Sequence, residues 1–298
     1  MTLQLRHLYA GKVRDLYDVD DKHLLMVASD RMSAFDVVMA ELIPEKGRVL
    51  TAMTNYWVHE FAERVPTSLV SCDPVVVDDY VPGFADAPKW HGRTMLVRRA
   101  EMLPLECIVR GRLAGQAYDE YLAHGTVHEM VVAPGLALTD PFERAMFTPS
   151  TKAESGHDLN ISLEQAADVV GRDTLERAQE LCLALFDLAV AKLASAGLIL
   201  ADTKFELGFV GGELVLCDEV VTPDSSRIWP VDQVHSGEVP PSFDKQPFRD
   251  WLAAQPWNRT PPPPLVPDEI VSITSRRYVE AYERATGRSL NDWYGAMS

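Results

Sequence analysis

Glu206 and Asp218 stand twelve positions apart across a glycine turn, in the run Asp202-Thr203-Lys204-Phe205-Glu206-Leu207-Gly208-Phe209-Val210-Gly211-Gly212-Glu213-Leu214-Val215-Leu216-Cys217-Asp218-Glu219. Two acids and a lysine on one sheet face suit a Mg-nucleotide. Mg²⁺ takes few protein carboxylates and completes its octahedron with phosphate oxygens and water, while an ammonium meets a phosphate as a point charge. The run predicts a β-hairpin, because Phe205, Leu207 and Phe209 alternate with Lys204, Glu206 and Gly208 at the period of a strand with one buried face. A three-residue loop, Val210 to Gly212, sets Glu206 opposite Leu216 and Lys204 opposite Asp218, with both acids on one face. A two-residue Gly-Gly turn would instead bury Asp218. The first register is favoured, since an unpaired carboxylate on an apolar face is costly and a one-residue slip reverses every side chain. Without a ligand, the same face would be solvated and laced with cross-strand ion pairs.

Five further segments carry candidate groups. In Gly11-Lys12-Val13-Arg14-Asp15-Leu16-Tyr17 the backbone at the glycine can approach a phosphate while Lys12 and Arg14 neutralise it, although a charged edge strand reads the same way. Ser29 to Asp36 is a polar run at a strand end, where Asp30 and Ser33 also suit turns or caps. From Leu96 to Arg112 come the tandem Arg98 and Arg99, a bend at Pro104, and an apolar stretch whose main chain at Glu106 and Ile108 can hold adenine. Arg110 and Arg112 then reach an anionic substrate, arginine forks being matched to carboxylate and phosphate oxygens; a solvated charged strand is the alternative. Phe147 to Asn160 has the polar, glycine-containing composition of a mobile loop, with His157 as a general base or a solvated histidine. Asp218 to Trp229 leaves the hairpin and presents Asp224, Ser225, Ser226 and Arg227 beside the expected metal.

Composition bounds what these groups can serve. The chain has 298 residues, 47% of them hydrophobic and 24% charged, the profile of a packed globular enzyme. Its 28 lysines and arginines against 44 acids give a formal charge of −16, which disfavours a nucleic-acid or anionic-membrane binder. Cys72, Cys107, Cys182 and Cys217 are scattered without metal-finger spacing, so reduced thiols and a cytoplasmic location are expected. The most apolar long stretch, Leu181 to Ala201, is broken by Asp187 and Lys192, and no membrane span is expected.

The elements that must position these groups are legible as two lobes. Val13–Val19, Leu24–Ser29, Val75–Val77 and Thr94–Arg99 read as strands, interrupted by one helix on which Leu50, Met53, Thr54, Trp57 and Phe61 recur at helical steps. Ser162 with Gln165, and Asp173 with Glu176, read as capping boxes of two helices. In the second, Leu175, Ala178, Cys182, Leu185, Ala189 and Leu193 form one stripe that stops at Gly197. A last helix begins near Pro267 and ends before Gly287. The expected layout is a strand-rich lobe, residues 1–110, and a helix-plus-sheet lobe, residues 111–298, with a crossing near Leu105 to Gly111.

Taken together, GKVRDLYDV, SDRMSAFD, ECIVRGRLAGQAYDEY, FTPSTKAESGHD, LILADTKFELGF and CDEVVTPDSSRIW resemble the SAICAR synthetase family, in its longer form, over nearly the whole chain. The resemblance implies a two-lobed α+β fold with a kinase-like ATP cleft between the lobes. It also implies ATP- and Mg²⁺-dependent joining of L-aspartate to the carboxylate of carboxyaminoimidazole ribonucleotide, by a chain expected to be a monomer. Carried over, Gly11, Lys12, Val13 and Arg14 would cover the phosphates with Arg98 or Arg99 assisting, Glu106 and Ile108 would hold adenine, and Glu206 and Asp218 would hold Mg²⁺ with Lys204 and Asp202 beside them. Ser33, Asp36, Arg110, Asp224, Ser225, Ser226 and Arg227 would meet the ribonucleotide; Lys152, His157 and Asp158 are candidates for the aspartate pocket. Gly115 and Gln116 lie where the family has a further polar contact. Two other readings are a small-molecule or protein kinase using the same cleft, and a nucleotide-binding module without turnover. The kinase His-Arg-Asp catalytic loop is absent, although Asp202-x-Lys204 echoes its spacing.

Overall fold

In a computed structural model, which describes residues 3–35, 37–152, 159–243 and 246–295, the N-terminal alternating runs assemble into an antiparallel sheet. Its elements are β1 (His7–Ala10), β2 (Arg14–Asp18) and β3 (His23–Ala28), then β4 (Arg31–Ala34) and β5 (Val37–Leu42) as a separate hairpin, α1 (Lys46–Glu60), β6 (Leu69–Ser71), α2 (Pro74–Asp78) and β7 (Thr94–Arg98). The strand order is β1-β2-β3-β7-β6. Val75 to Val77, expected as a strand, lie in α2 instead. Asp73 caps that helix by accepting from the Val75 amide at 2.8 Å, and Pro74 supplies the fixed φ of a first turn, which outweighs the weak strand preference of three valines.

The second sheet carries the candidate acids and arginines of the hairpin region. After β8 (Glu101–Met102) and β9 (Leu105–Arg112) come α3 (Gln116–His124), β10 (Thr126–Val127), β11 (Met130–Val131), β12 (Pro141–Phe147), β13 (Ser150–Thr151), α4 (Leu163–Val170) and α5 (Arg172–Ser195). The long β14 (Leu198–Val210) follows, then β15 (Glu213–Cys217), β16 (Ser226–Pro230), α6 (Gln246–Ala253) and α7 (Asp268–Thr286). The order is β12-β9-β14-β15, with β13 on β9 and with β8 and β16 on β14. The chain therefore changes sheets between Arg98 and Glu101. Residues 105–111, expected as the crossing, form an internal strand, because Leu105, Cys107 and Val109 alternate at strand period and are fully buried.

α4 opens with the expected Ser162–Gln165 capping box. The box expected at Asp173 and Glu176 does not form. Gly171, at φ 84°, ends α4 and caps α5 without a side-chain bond, so Asp173 falls in the first turn, where its charge complements the helix dipole. The α5 stripe from Leu175 to Leu193 is buried as its spacing predicts. Among the described residues no helix is long and apolar enough to cross a membrane.

The hairpin register also differs from the expectation. Val210 pairs with Glu213 and Glu206 with Cys217, so the loop is Gly211-Gly212, at φ 61° and 84°. Two successive positive φ values match the right-handed strand twist, and glycine adopts them freely. Asp218 nevertheless escapes the apolar face. β15 ends at Cys217, and Asp218 itself takes φ 52°, so strand alternation no longer decides where its carboxylate points.

Candidate functional site

Strand alternation along β14 puts Asp202, Lys204 and Glu206 on one face, and the neighbouring strands bring partners to each. Lys204 Nζ donates to Glu106 Oε1 at 2.5 Å and lies 3.7 Å from Glu206 Oε1. Lys152 Nζ reaches Glu206 Oε2 at 2.6 Å. From the other sheet, Arg14 Nη1 meets Asp218 at 3.1 and 3.2 Å, while Nη2 lies 2.8 Å from Glu219 Oε2. The result is a band of alternating charge where the two sheets meet.

The electrostatics of that band follow from burial. Desolvation pushes the Asp218 carboxyl above its ordinary range; Arg14 opposes the rise and the Glu206 charge adds to it. Burial works against the Lys204 ammonium, but Glu106 and Glu206 outweigh it and hold the group protonated. Burial likewise disfavours the Arg14 cation, and Asp218 with Glu219 more than compensates. Lys204 is thus a fixed positive charge and no proton acceptor near neutral pH.

A second cluster adjoins the first on β14. Arg227 Nη1 donates to Asp202 Oδ2 at 2.6 Å, and Arg110 Nη1 approaches the same oxygen at 3.4 Å. Arg110 Nε donates to Thr148 Oγ1 at 3.1 Å, and the hydroxyls of Thr203 and Ser226 are 2.7 Å apart. Gly115 packs flat on Arg227: a Cβ there would lie 2.3 Å from Nη2. Asp202, Ser225, Ser226, Arg227 and Arg249 help line a cavity of about 100 Å³. A larger hollow of about 650 Å³ between β12 and α5 contains neither cluster.

Other expected residues are placed differently. The Gly11 turn forms, closed by Gly11 N to Arg14 O at 2.7 Å, and a Cβ at Gly11 would sit 2.8 Å from that oxygen. Val13 and exposed Lys12 follow in this turn; their carbonyls accept from Ser29 N at 2.8 Å and Arg31 Nε at 3.4 Å. Arg98 donates to the Thr67 carbonyl, and Arg99 to Asp18 and the Asp20 carbonyl, so both brace the first sheet and neither meets the acids. The main-chain adenine contact expected at Ile108 is overturned. Ile108 pairs with Lys204 on one edge, and its carbonyl accepts from Thr148 N at 2.8 Å on the other. Glu106 pairs with Ser150 and offers the site its carboxylate, bound to Lys204. Ser33 stands in β4 opposite Val38 of β5. Asp224, expected to face a substrate, lines the same cavity as Arg227, and its carboxylate also accepts from Lys46 Nζ at 2.8 Å and Tyr278 Oη at 2.5 Å. Asp36, His157 and Asp158 lie outside the described residues.

Glu219, Lys46 and Tyr278 were missed. Glu219 directly follows Asp218 and was open to notice as a third acid. Lys46 and Asp224 are 178 positions apart and Tyr278 lies 54 positions beyond Asp224, so no local pattern joins them.

A family model described as SAICAR synthetase matches residues 7–264. The phosphoribosylaminoimidazole-succinocarboxamide synthase of Saccharopolyspora erythraea is 50% identical over 291 residues, covering 95% of each chain. The SAICAR synthase of Saccharomyces cerevisiae, solved as a complex with SAICAR, superposes with a TM-score of 0.88 at 41% identity over 96% of each chain. A SAICAR synthetase solved with ADP shares the fold at 24% identity, with a TM-score of 0.68 over 94% of this chain and 98% of its own. Nothing among these likenesses favours a phosphotransferase. With its charge band, its arginine pair and this degree of likeness, the chain belongs to the SAICAR synthetase family.

Proposed function

We propose that the two clusters on β14 divide the labour of one reaction, the acids of the hairpin serving Mg-ATP and the Asp202–Arg110–Arg227 group serving the ribonucleotide. The enzyme is an ATP-dependent ligase of purine biosynthesis that joins L-aspartate to the carboxylate of carboxyaminoimidazole ribonucleotide, giving SAICAR, ADP and phosphate. The observation that carries the assignment of roles is the single face shared by Asp202, Lys204 and Glu206, which sets the two clusters side by side.

The donor set fits Mg²⁺. Glu206 and Asp218 are hard oxygen ligands close enough for one charge to disfavour the other, a repulsion that a divalent cation relieves. Among the described residues no group of three or more acids, histidines or cysteines is arranged for a metal, so phosphate oxygens and water would complete the shell. Bound there, Mg²⁺ would neutralise phosphate charge during transfer.

Lys204, fixed beside Glu206, neutralises the nucleotide's phosphates, and Arg14 with the Gly11 turn covers them from the first sheet. Arg227 and Arg110 fork onto the ribonucleotide's anionic groups, with Ser226 beside them. A carboxylate is a poor acyl donor. Moving a phosphoryl group onto it makes phosphate the leaving group that the aspartate amine displaces, and in-line positioning by these cations needs no nucleophilic serine or cysteine. The link between the sheets, residues 99–102, where β8 pairs with β14, is our choice for the adenine side. Lys152, with His157 and Asp158, is our candidate for the aspartate pocket. We further infer a monomer, lobes that meet at this link, and a cytoplasmic location in keeping with four buried free cysteines.

The test is ADP release with and without aspartate. Release that depends on aspartate and on the ribonucleotide is expected; release that proceeds equally well without aspartate rejects ligation.

A further inference from the structure

We propose that Tyr278 and Lys46 are positioning residues: by holding Asp224 they fix the loop 222–227 that presents Ser225, Ser226 and Arg227 to the ribonucleotide. The inference rests on the assignment of that loop to the ribonucleotide.

Two distant parts of the chain reach one carboxylate of a third. Lys46 begins α1, where Gly47 N donates to Asp30 Oδ1 at 2.9 Å and a Cβ on Gly47 would lie 2.6 Å from the Ala28 carbonyl, so the helix start is pressed against β3. Tyr278 belongs to α7, beyond residue 264, where the family match ends. Lys46 Nζ and Tyr278 Oη each take one oxygen of Asp224, and the ammonium also lies 5.6 Å from the centre of the Tyr278 ring. Lys46 and Asp224 side chains are 0% and 4% exposed.

A buried ion pair is a poor device for stability, since apolar residues of like volume serve as well or better. It is a good device for direction, because both charges must be met at defined geometry. The loop needs such an anchor. Val221, a β-branched residue, sits at φ 46°, a conformation that persists only where the surroundings enforce it. From Asp224 the restraint passes through the turn, in which Asp224 N donates to Thr222 Oγ1 at 3.2 Å and Thr222 N to Ser225 Oγ at 3.1 Å. It ends at Arg227 on Asp202.

The experiment uses the full chain and two variants, Tyr278→Phe and the double variant Lys46→Met with Asp224→Leu. Tyr278→Phe is expected to raise KM for carboxyaminoimidazole ribonucleotide about tenfold, the loss of one hydrogen bond to a charged group, and the double variant, which removes both bonds to Asp224, at least as much, while KM for ATP stays within about twofold. A role confined to stability would leave this split absent. Should Tyr278→Phe fail to fold, the double variant decides, its charges having been removed together. Parent-like KM for the ribonucleotide, or equal shifts for both substrates, overturns the inference. Calorimetric titration of the parent with SAICAR separates the two levels: no binding removes the loop assignment beneath the inference, whereas parent binding matched by both variants removes the positioning role alone.

Discussion

Arg14 and Asp218 meet across the two sheets, and their pairing makes the acid we assign to Mg²⁺ a compromise between burial and a neighbouring cation. Asp218→Asn keeps the shape and removes the charge, so turnover should fall at least about 10²–10³-fold with an unchanged circular dichroism spectrum; retained Mg-dependent turnover rejects the metal role. Arg14→Met tests the coupling. Burial and Glu206 disfavour the ionised Asp218 carboxylate while Arg14 favours it, so removing the guanidinium raises that pKa further. The acid limb of the pH profile of kcat/KM for Mg-ATP should therefore move to higher pH, and a limb that stays in place refutes the coupling. At this scale the sequence named both partners but not their contact, since 204 positions separate them.

The hairpin shows what element-level patterning settles. Its alternation was readable, and so was the glycine turn; the loop length was not, because a one-residue slip leaves the apolar pattern of β14 itself untouched. The side on which Asp218 emerges was decided by its positive φ, a backbone property without a sequence mark on an aspartate. Ile108 and Glu106 were misread for a related reason: a hydrophobic strand looks alike whether it links two lobes or lies inside one sheet. Gly115, at φ 56° ahead of α3, supplies the prediction at this scale. A methyl group there would lie 2.3 Å from Arg227 Nη2, so Gly115→Ala should displace the guanidinium from Asp202 and raise KM for the ribonucleotide about tenfold, with KM for ATP little changed. Steady-state kinetics with each substrate varied in turn checks it; equal shifts for both point to general strain.

One buried cluster runs through α1, α5, α7, β9, β14 and β15, so the carboxylate hairpin and both helices beside the Asp224 anchor share a core. Phe205 lies within it, fully buried, its ring 6.5 Å from that of Phe61. Phe205→Ala should cost about 3–5 kcal/mol, and denaturant unfolding should report the loss as a lower midpoint. A variant with the parent's midpoint would show that the two lobes do not depend on this packing. Because Phe205 alternates with Lys204 and Glu206, the strand that carries the candidate site on one face is held by the core on the other.

What the sequence by itself determined is local in its physics: the α+β class, the helix stripes, the glycine turn, the acidic overall charge and the residue types able to handle Mg-ATP and an anionic substrate. Period, capping and charge are properties of neighbours along the chain, and neighbours are what a sequence displays. Tertiary structure alone decided which cation meets which acid, that Arg98 and Arg99 brace a sheet, that β9 is internal, and that Asp224 turns inward to Lys46 and Tyr278. Each of these depends on residues far apart in the chain, and a buried charge takes its partner from whatever the fold delivers within hydrogen-bonding distance.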